Sequence, residues 1–237
     1  MPPRLAIGTV PLSASAPRIV AAGGAAEVEA LAGVAGADLV ELRADLWDHP
    51  SPDALPALLK RLGASGRPVI LTVRAAAEGG APLEEGLRRA LYSAGLPHAA
   101  AIDLEIASTE LVAELVPRAR ATGRTVILSS HALDATPAAS ALLALVDRAG
   151  TLGADVTKLV AQARDLAELR TLLQVTLAAA ERGIVTLALG PAGPLSRLVL
   201  PAAGSLLTYG HVGRATAPSG QLAVAELAPL LRRLLPV

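Results

Sequence analysis

The chain of 237 residues is predicted to be an α/β protein, a single-domain (β/α)8 barrel of the TIM type over residues 1–237. Two observations predict this. Short runs rich in Val, Ile and Leu alternate eight times with longer Ala/Leu-rich stretches, the pattern of parallel strands joined by crossover helices. Eight such units in about this length are what a barrel needs. The alternative, an open doubly wound sheet, usually has fewer strands. In addition, no strand candidate is followed by the Gly-x-Gly-x-x-Gly turn of a dinucleotide site.

Residues 1–17 precede the barrel, and 5–10 reads as a short extra strand or hairpin closing its floor. Barrel strands are expected at 18–22, 38–42, 68–72, 100–105, 125–130, 155–160, 183–188 and 205–209. Helices are expected at 27–34, 54–62, 83–94, 109–119, 137–149 and 165–180. The segment 192–201 must supply the helix before the last strand despite its Gly and Pro. The closing helix, 221–235, is amphipathic because Arg232 and Arg233 interrupt its leucines.

Composition narrows the function. Net charge is zero, so nothing points to a polyanionic partner. Aromatic residues make up 1% and Phe is absent, which argues against base-stacking platforms for nucleic acid. With no cysteine there are no disulfides and no cysteine-based metal or redox sites, in agreement with a cytoplasmic protein. Residues 1–4 do not open a signal-peptide stretch, and no run is long and apolar enough for a membrane span. No metal-binding spacing occurs, neither His-x-His nor Glu-x-x-His on a helix, and no Walker loop; neither metal nor cofactor is expected. The expected partner is a small-molecule substrate.

The most informative residue is Lys158, one of only two lysines. It sits inside the apolar strand candidate 155–160, where an unpaired ammonium is expensive. One escape is an uncharged amine, a nucleophile suited to a carbonyl. The other is pairing with Glu105 or another carboxylate inside the barrel. Lys60 falls on an ordinary exposed helix position.

Barrel chemistry sits at the C-terminal strand ends, and polar residues gather there. Strand two runs into Glu41, Arg43 and Asp45, which share a face if the strand persists; they form an ion-pair cluster or hold a polyhydroxylated ligand. Strand three delivers Arg74, followed by Glu78, Gly79 and Gly80; alone, such an arginine is often a surface residue. Strand four carries Asp103 and Glu105, an acid/base pair or, as we prefer, partners of a buried cation. Strand five delivers His131, structural on its own, catalytic if the neighbouring Lys158 shares a ligand with it. After strand seven, Gly190 to Arg197 suits an anion at a helix start, carboxylate or phosphate. After strand eight, the segment 215–220 is a candidate lid, with Thr216, Ser219 and Gln221 offering hydroxyl and amide groups.

Eight motifs in order give these residues a pattern: Glu41-x-Arg43-x-Asp45; Thr72-x-Arg74 with Glu78-Gly79-Gly80; Asp103-x-Glu105; Ser129-x-His131 with Thr136-Pro137; Ala154-Asp155-x-x-Lys158; Gly190-x-x-Gly193-x-x-Ser196-Arg197; Gly204-Ser205-x-x-Thr208-Tyr209-Gly210; and Gly220-Gln221. From about Arg18 to Gln221 the chain resembles type I 3-dehydroquinate dehydratase, the Schiff-base-forming family of the shikimate pathway. The resemblance implies a lyase that converts 3-dehydroquinate to 3-dehydroshikimate, and a homodimer. It implies that Lys158 forms the imine, His131 is the general acid/base and Glu78 orients it. Arg197, helped by Gln221, would grip the substrate carboxylate, and Glu41, Arg43 and Arg74 would hold ring hydroxyls. The family often has Ser-Ala-Pro-Gly-Gln before its last helix. The stretch from Thr216 to Gln221 is one residue longer, so Thr216 and Ser219 are both candidates for that serine. Leu189 and Ala203 stand where the family commonly has Met and Phe. For the chemistry, burial and nearby arginines are expected to keep the Lys158 amine uncharged. The rival readings are another Schiff-base barrel enzyme, such as an aldolase, and an inactive barrel serving as a binding partner.

Overall fold

The computed structural model describes residues 5–213 and 220–235. It begins with a two-stranded antiparallel hairpin, β1 (Ala6–Ile7) and β2 (Val10–Pro11). The predicted extra strand is thus a hairpin, turned at Gly8, whose φ of 57° needs a residue without Cβ. The barrel then runs β3 (Arg18–Gly24), α1 (Val28–Gly33), β4 (Leu39–Arg43), α2 (Leu55–Gly63), β5 (Val69–Thr72), α3 (Glu85–Gly95), β6 (Ala101–Glu105) and α4 (Thr109–Ala121). It continues with β7 (Thr125–Ala132), α5 (Ala139–Thr151), β8 (Val156–Gln162), α6 (Leu166–Ala179), β9 (Ile184–Leu189), α7 (Gly193–Ala202), β10 (Leu207–His211) and α8 (Val224–Leu234).

Strands β3 to β10 form one parallel sheet in the order β10-β3-β4-β5-β6-β7-β8-β9. All eight lie where the sequence places them. The gap between β9 and β10 is closed by individual bonds. Leu206 N donates to Ile184 O (2.9 Å), and Thr186 N donates to the Ser205 hydroxyl (3.0 Å). Higher up, Arg197 of α7 reaches Ala188 O on β9 (2.9 Å) and Tyr209 O on β10 (3.2 Å). A repeated Gly-Ala-Asp before β4 and β8 has one job in both places: Asp38 accepts from Ile19 N and Asp155 from Val126 N, each at 2.8 Å.

Side chains alternate along each strand. Leu39, Ile70, Ala101, Ile127, Val156, Val185 and Leu207 pack within one buried cluster, with Ile7 of the hairpin. A second cluster joins Leu42, Leu71, Leu104 and Leu128 to the helices. The helices lie against the wall through stripes such as Val224, Leu227, Ala228 and Leu231 on α8. The last helix begins three residues later than predicted because Ala223 bridges to His211 and Leu222 O accepts from His211 N (3.0 Å), which holds this stretch extended. Two residues further along the strands than the apolar layer stand Glu41, Asp103, Ser129 and Lys158, all buried. The barrel interior thus turns from apolar to charged toward its C-terminal mouth.

Candidate active site

The mouth holds a cavity of about 440 Å³ lined by Glu41, Arg43, Arg74, Glu78, His131, Lys158, Arg197 and Gln221. The described residues to which the resemblance gave a role are therefore on one cavity, whereas Asp45, Asp103 and Glu105 stand behind its lining. Thr216, Ser219 and most of the candidate lid lie outside the described residues. Val160, Leu187 and Leu189 supply an apolar wall.

Lys158 projects from β8 beside β7, where it pairs in register with Ser129. Its Nζ donates to Asp103 Oδ2 (2.9 Å) and Glu41 Oε2 (3.3 Å) and stands 4.3 Å from the centre of the Tyr209 ring. The arginines expected around the amine are not its nearest neighbours. The groups nearest the nitrogen are two carboxylates and an aromatic face. The preference for Asp103 as the partner of a buried cation is met. Glu105, the other carboxylate considered for Lys158, instead joins Arg74 and Arg88.

Arg74 is 2% exposed, not a surface residue. One guanidinium nitrogen donates to Glu105 Oε1 (2.9 Å) and the Ser129 hydroxyl (2.6 Å), and the other meets Asp103 Oδ1 at 3.0 Å. Burial lowers its proton affinity, but Asp103 and Glu105 more than reverse this. Burial likewise pushes Asp103 up, yet Arg74 and Lys158 hold it far below the usual carboxylate range. Asp103 thus stays an anion.

The cluster on β4 divides. The strand stops at Arg43, and a turn at Ala44–Leu46 brings Asp45 back onto it, so the three residues do not share one face. Arg43 and Asp45 form a two-pronged pair at 2.8 and 2.6 Å, while Glu41 turns inward to Lys158. Asp45 also accepts from Arg74 N (3.1 Å).

His131 rises from the end of β7. Its Nδ1 is 2.8 Å from Glu78 Oε2, and the same oxygen accepts from His131 N at 2.9 Å. Burial, then Arg74 and Lys158, drive the imidazole well below its ordinary value. Burial pushes Glu78 up to about 7. With Nδ1–H turned to Glu78, Nε2 is left as an unprotonated base. The Glu78 turn needs both glycines. Gly79 has φ 86°, and a Cβ on Gly80 would lie 2.0 Å from Arg74 O.

Arg197 differs from the other two buried arginines, Arg74 and Arg88. It is 2% exposed, its described partners are two carbonyls and the Ser196 hydroxyl, and no carboxylate among the described residues pairs with it. Burial alone pushes it down to about 10. A buried cation that lines a cavity without a counter-ion is suited to an incoming anion. Among the described residues no group of three or more His, Cys, Asp or Glu is placed to hold a metal, and no helix is long and apolar enough to cross a membrane.

Asp103 and Glu105 were expected as partners of a buried cation; no role was assigned to Ser129 and Tyr209, which contact Arg74 and Lys158, or to Arg88 behind them. Asp103 and Glu105 had a signal, two carboxylates on a strand with no exposed face. Tyr209 had a weaker one, its alternation with Leu207 and His211. Arg88 had none, because beside Glu85 it reads as a surface helix pair.

A parallel barrel with a lysine among carboxylates at its mouth, a histidine–glutamate pair and a buried arginine that no described carboxylate pairs defines an enzyme of carbonyl chemistry on an anionic substrate. The family model for type I 3-dehydroquinase matches residues 21–234, and the chain belongs to that family. It is 35% identical over 198 residues to the 3-dehydroquinate dehydratase of Methanocella arvoryzae, covering 83% of this chain and 87% of that one. Against the enzyme of Klebsiella pneumoniae subsp. pneumoniae it is 34% identical over 210 residues, covering 83% and 82%. The crystal structure of type I 3-dehydroquinate dehydratase from Clostridium difficile, solved with covalently modified comenic acid, superposes with a TM-score of 0.89 at 25% identity, over 99% of both chains.

Proposed function

We propose that this chain is a hydro-lyase that dehydrates 3-dehydroquinate to 3-dehydroshikimate through an imine on Lys158. The observation that carries the reading is the set of three on one cavity: Lys158 Nζ, the His131–Glu78 pair and Arg197, which no described carboxylate pairs. Arg197 takes the substrate carboxylate, with Gln221 beside it, and turns the ketone toward Lys158. Arg43, Arg74 and Glu41 face the ring hydroxyls, and Thr216 or Ser219 completes the hydroxyl contacts.

The amine must lose its proton before it adds to the ketone. Asp103, held deprotonated by Arg74, cannot keep that proton, so it passes to His131 or Glu41 and on to solvent. Addition and loss of water give an iminium, whose positive nitrogen then takes the place of the ammonium between Asp103 and Glu41. His131 Nε2 removes a proton from the adjacent carbon, and the electron pair moves into the C–N system as an enamine. The enamine expels the hydroxyl one carbon further on, and the imidazolium returns the proton to it as water. Hydrolysis of the conjugated imine frees Lys158. Glu78, when ionised, offsets the charge on the imidazolium; burial raises it to about 7, so this support is gained as pH rises through neutrality.

Borohydride added with 3-dehydroquinate, followed by peptide mapping, tests this. A reduced adduct on Lys158 is expected; an adduct on Lys60 instead, or none, rejects the scheme. The resemblance also supports a homodimer of single barrel domains, residues 1–237, in the cytoplasm. Sedimentation equilibrium tests the dimer.

A further inference from the structure

Six buried charges alternate through the barrel wall into the site: Arg88, Glu105, Arg74, Asp103, Lys158 and Glu41. Arg88 starts on α3, outside the barrel, and does not line the cavity. It donates twice to Val73 O (3.0 Å each) and meets Glu105 Oε2 at 2.5 Å. The other Glu105 oxygen accepts from Arg74 and from Ala75 N, both at 2.9 Å. Asp103 repeats the division, giving Oδ1 to Arg74 and Oδ2 to Lys158. Each carboxylate therefore offers one oxygen to each neighbouring cation, and a pull at one end is passed to the other.

Stability does not account for such a chain. Buried ion pairs are often no better than apolar side chains of the same volume. What the chain does set is the charge around the lysine nitrogen. With Lys158 as ammonium, three positive and three negative charges cancel. With a neutral amine one negative charge is in surplus, and an iminium restores the balance. We infer that Arg88 is a positioning residue of the lysine site, acting through Glu105, Arg74 and Asp103 to set how strongly the Lys158 nitrogen is held as a cation. This rests on the imine reading above.

The other groups facing Lys158 are His131 on β7 and Tyr209 on β10, with Arg43 and Glu78 at the rim. Around Arg88 stand Glu85 at 2.6 Å on its own helix, Glu105, and Tyr92, whose hydroxyl burial keeps uncharged. Apart from Glu105 itself, none of these is altered by the exchanges proposed, which remove the charge of Arg88, of Glu105 or of both.

The full-length protein, Arg88→Met, Glu105→Gln, the double variant and Arg89→Met are incubated with 3-dehydroquinate and borohydride across about pH 5 to 9. In trapping, the amine adds to the ketone, water leaves, and borohydride hydride reduces the imine carbon to a secondary amine. Losing Arg88 leaves the chain more negative, so the half-maximal pH of trapping rises, by about one unit for a charge acting at an effective dielectric near 20. Losing the Glu105 charge lowers it by a similar amount, and the double variant returns close to the parent. Arg89, on the same helix but paired at the surface with Glu110 and Glu114, leaves it unmoved. In the two single variants, Arg88→Met and Glu105→Gln, kcat moves more than KM. Damage to the wall alone would shift both single variants the same way or neither, and either result overturns the inference. If Arg88→Met does not fold, the sign of the Glu105→Gln shift decides: a fall supports the inference, and no shift or a rise overturns it. Absence of any adduct in the parent removes the imine reading, and with it this one.

Discussion

Replacing His131 with Asn and Glu78 with Gln, one at a time, should tilt the pH dependence of stability in opposite directions. In the folded protein burial pushes Glu78 from 4.5 up to about 7, and drives His131 well below 6.5. Between about pH 4.5 and 6.5 the unfolded chain carries one proton on the histidine, and the folded chain carries one on the glutamate. The pair therefore exchanges no proton on folding, and its contribution is flat across that window. His131→Asn leaves Glu78 alone, with the bond from the backbone N–H of residue 131 intact. The folded state then binds a proton that the unfolded state does not. This stability is full below about pH 4.5 and is lost as pH rises through about 7. Glu78→Gln leaves His131 alone. Now the unfolded state binds the extra proton, so stability climbs with pH and is full above about 6.5. Moving a carboxyl from 4.5 to about 7 is worth at most about 3.5 kcal/mol at ~1.4 per pH unit. The Glu78 side chain is still 12% exposed, and screening by that solvent brings the expected tilt to about 2 kcal/mol. Urea midpoints at about pH 5 and 7.5, with m-values unchanged, measure it. Slopes of the same sign in the two variants would refute the assignment of the shared proton.

Three further outcomes are expected. Lys158→Met and Lys158→Arg both lose turnover and trapping, whereas His131→Ala still traps substrate but turns over roughly a hundred to ten thousand times more slowly; normal turnover in His131→Ala would remove histidine from the chemistry. Arg197→Met raises KM for the carboxylate substrate by roughly ten- to a hundred-fold, the loss of a charge-assisted contact, and leaves the weak binding of an analogue without the carboxylate unchanged in calorimetry. Gly80→Ala, whose Cβ would stand 2.0 Å from Arg74 O, lowers stability by about 2 kcal/mol or more and turnover with it; an unfolding curve like the parent's would show that the turn yields.

The barrel was legible because its signal is periodic. Leu39, Glu41 and Arg43, or Ile127, Ser129 and His131, alternate in a way that only a strand with one inward face explains, and the chemistry follows at the strand ends. Lys158 and His131 stood out because each is a costly or titratable residue in an apolar run. The state of the lysine was not legible. Whether a buried amine is uncharged or paired depends on what the neighbouring strands place beside it, and Asp103 and Glu41 lie 55 and 117 residues away in the chain. The reach of Arg88 from a helix through the wall to Glu105 was hidden for a related reason: amphipathic spacing reports which face a residue starts from, not where a long side chain ends. The shared face of Glu41, Arg43 and Asp45 depended on the strand persisting past Arg43; the chain turns there, and Asp45 pairs with Arg43 instead.

Arg197 has a second consequence. The arginine proposed to take the substrate carboxylate is also the side chain that laces β9 to β10 across the seam without a ladder. An arriving anion would fix the guanidinium and, through it, both lips of that seam. Amide exchange along Ile184–Leu189 and Leu207–His211 should therefore slow on ligand binding more than in any other part of the wall, so that the cylinder is drawn shut by the molecule it admits.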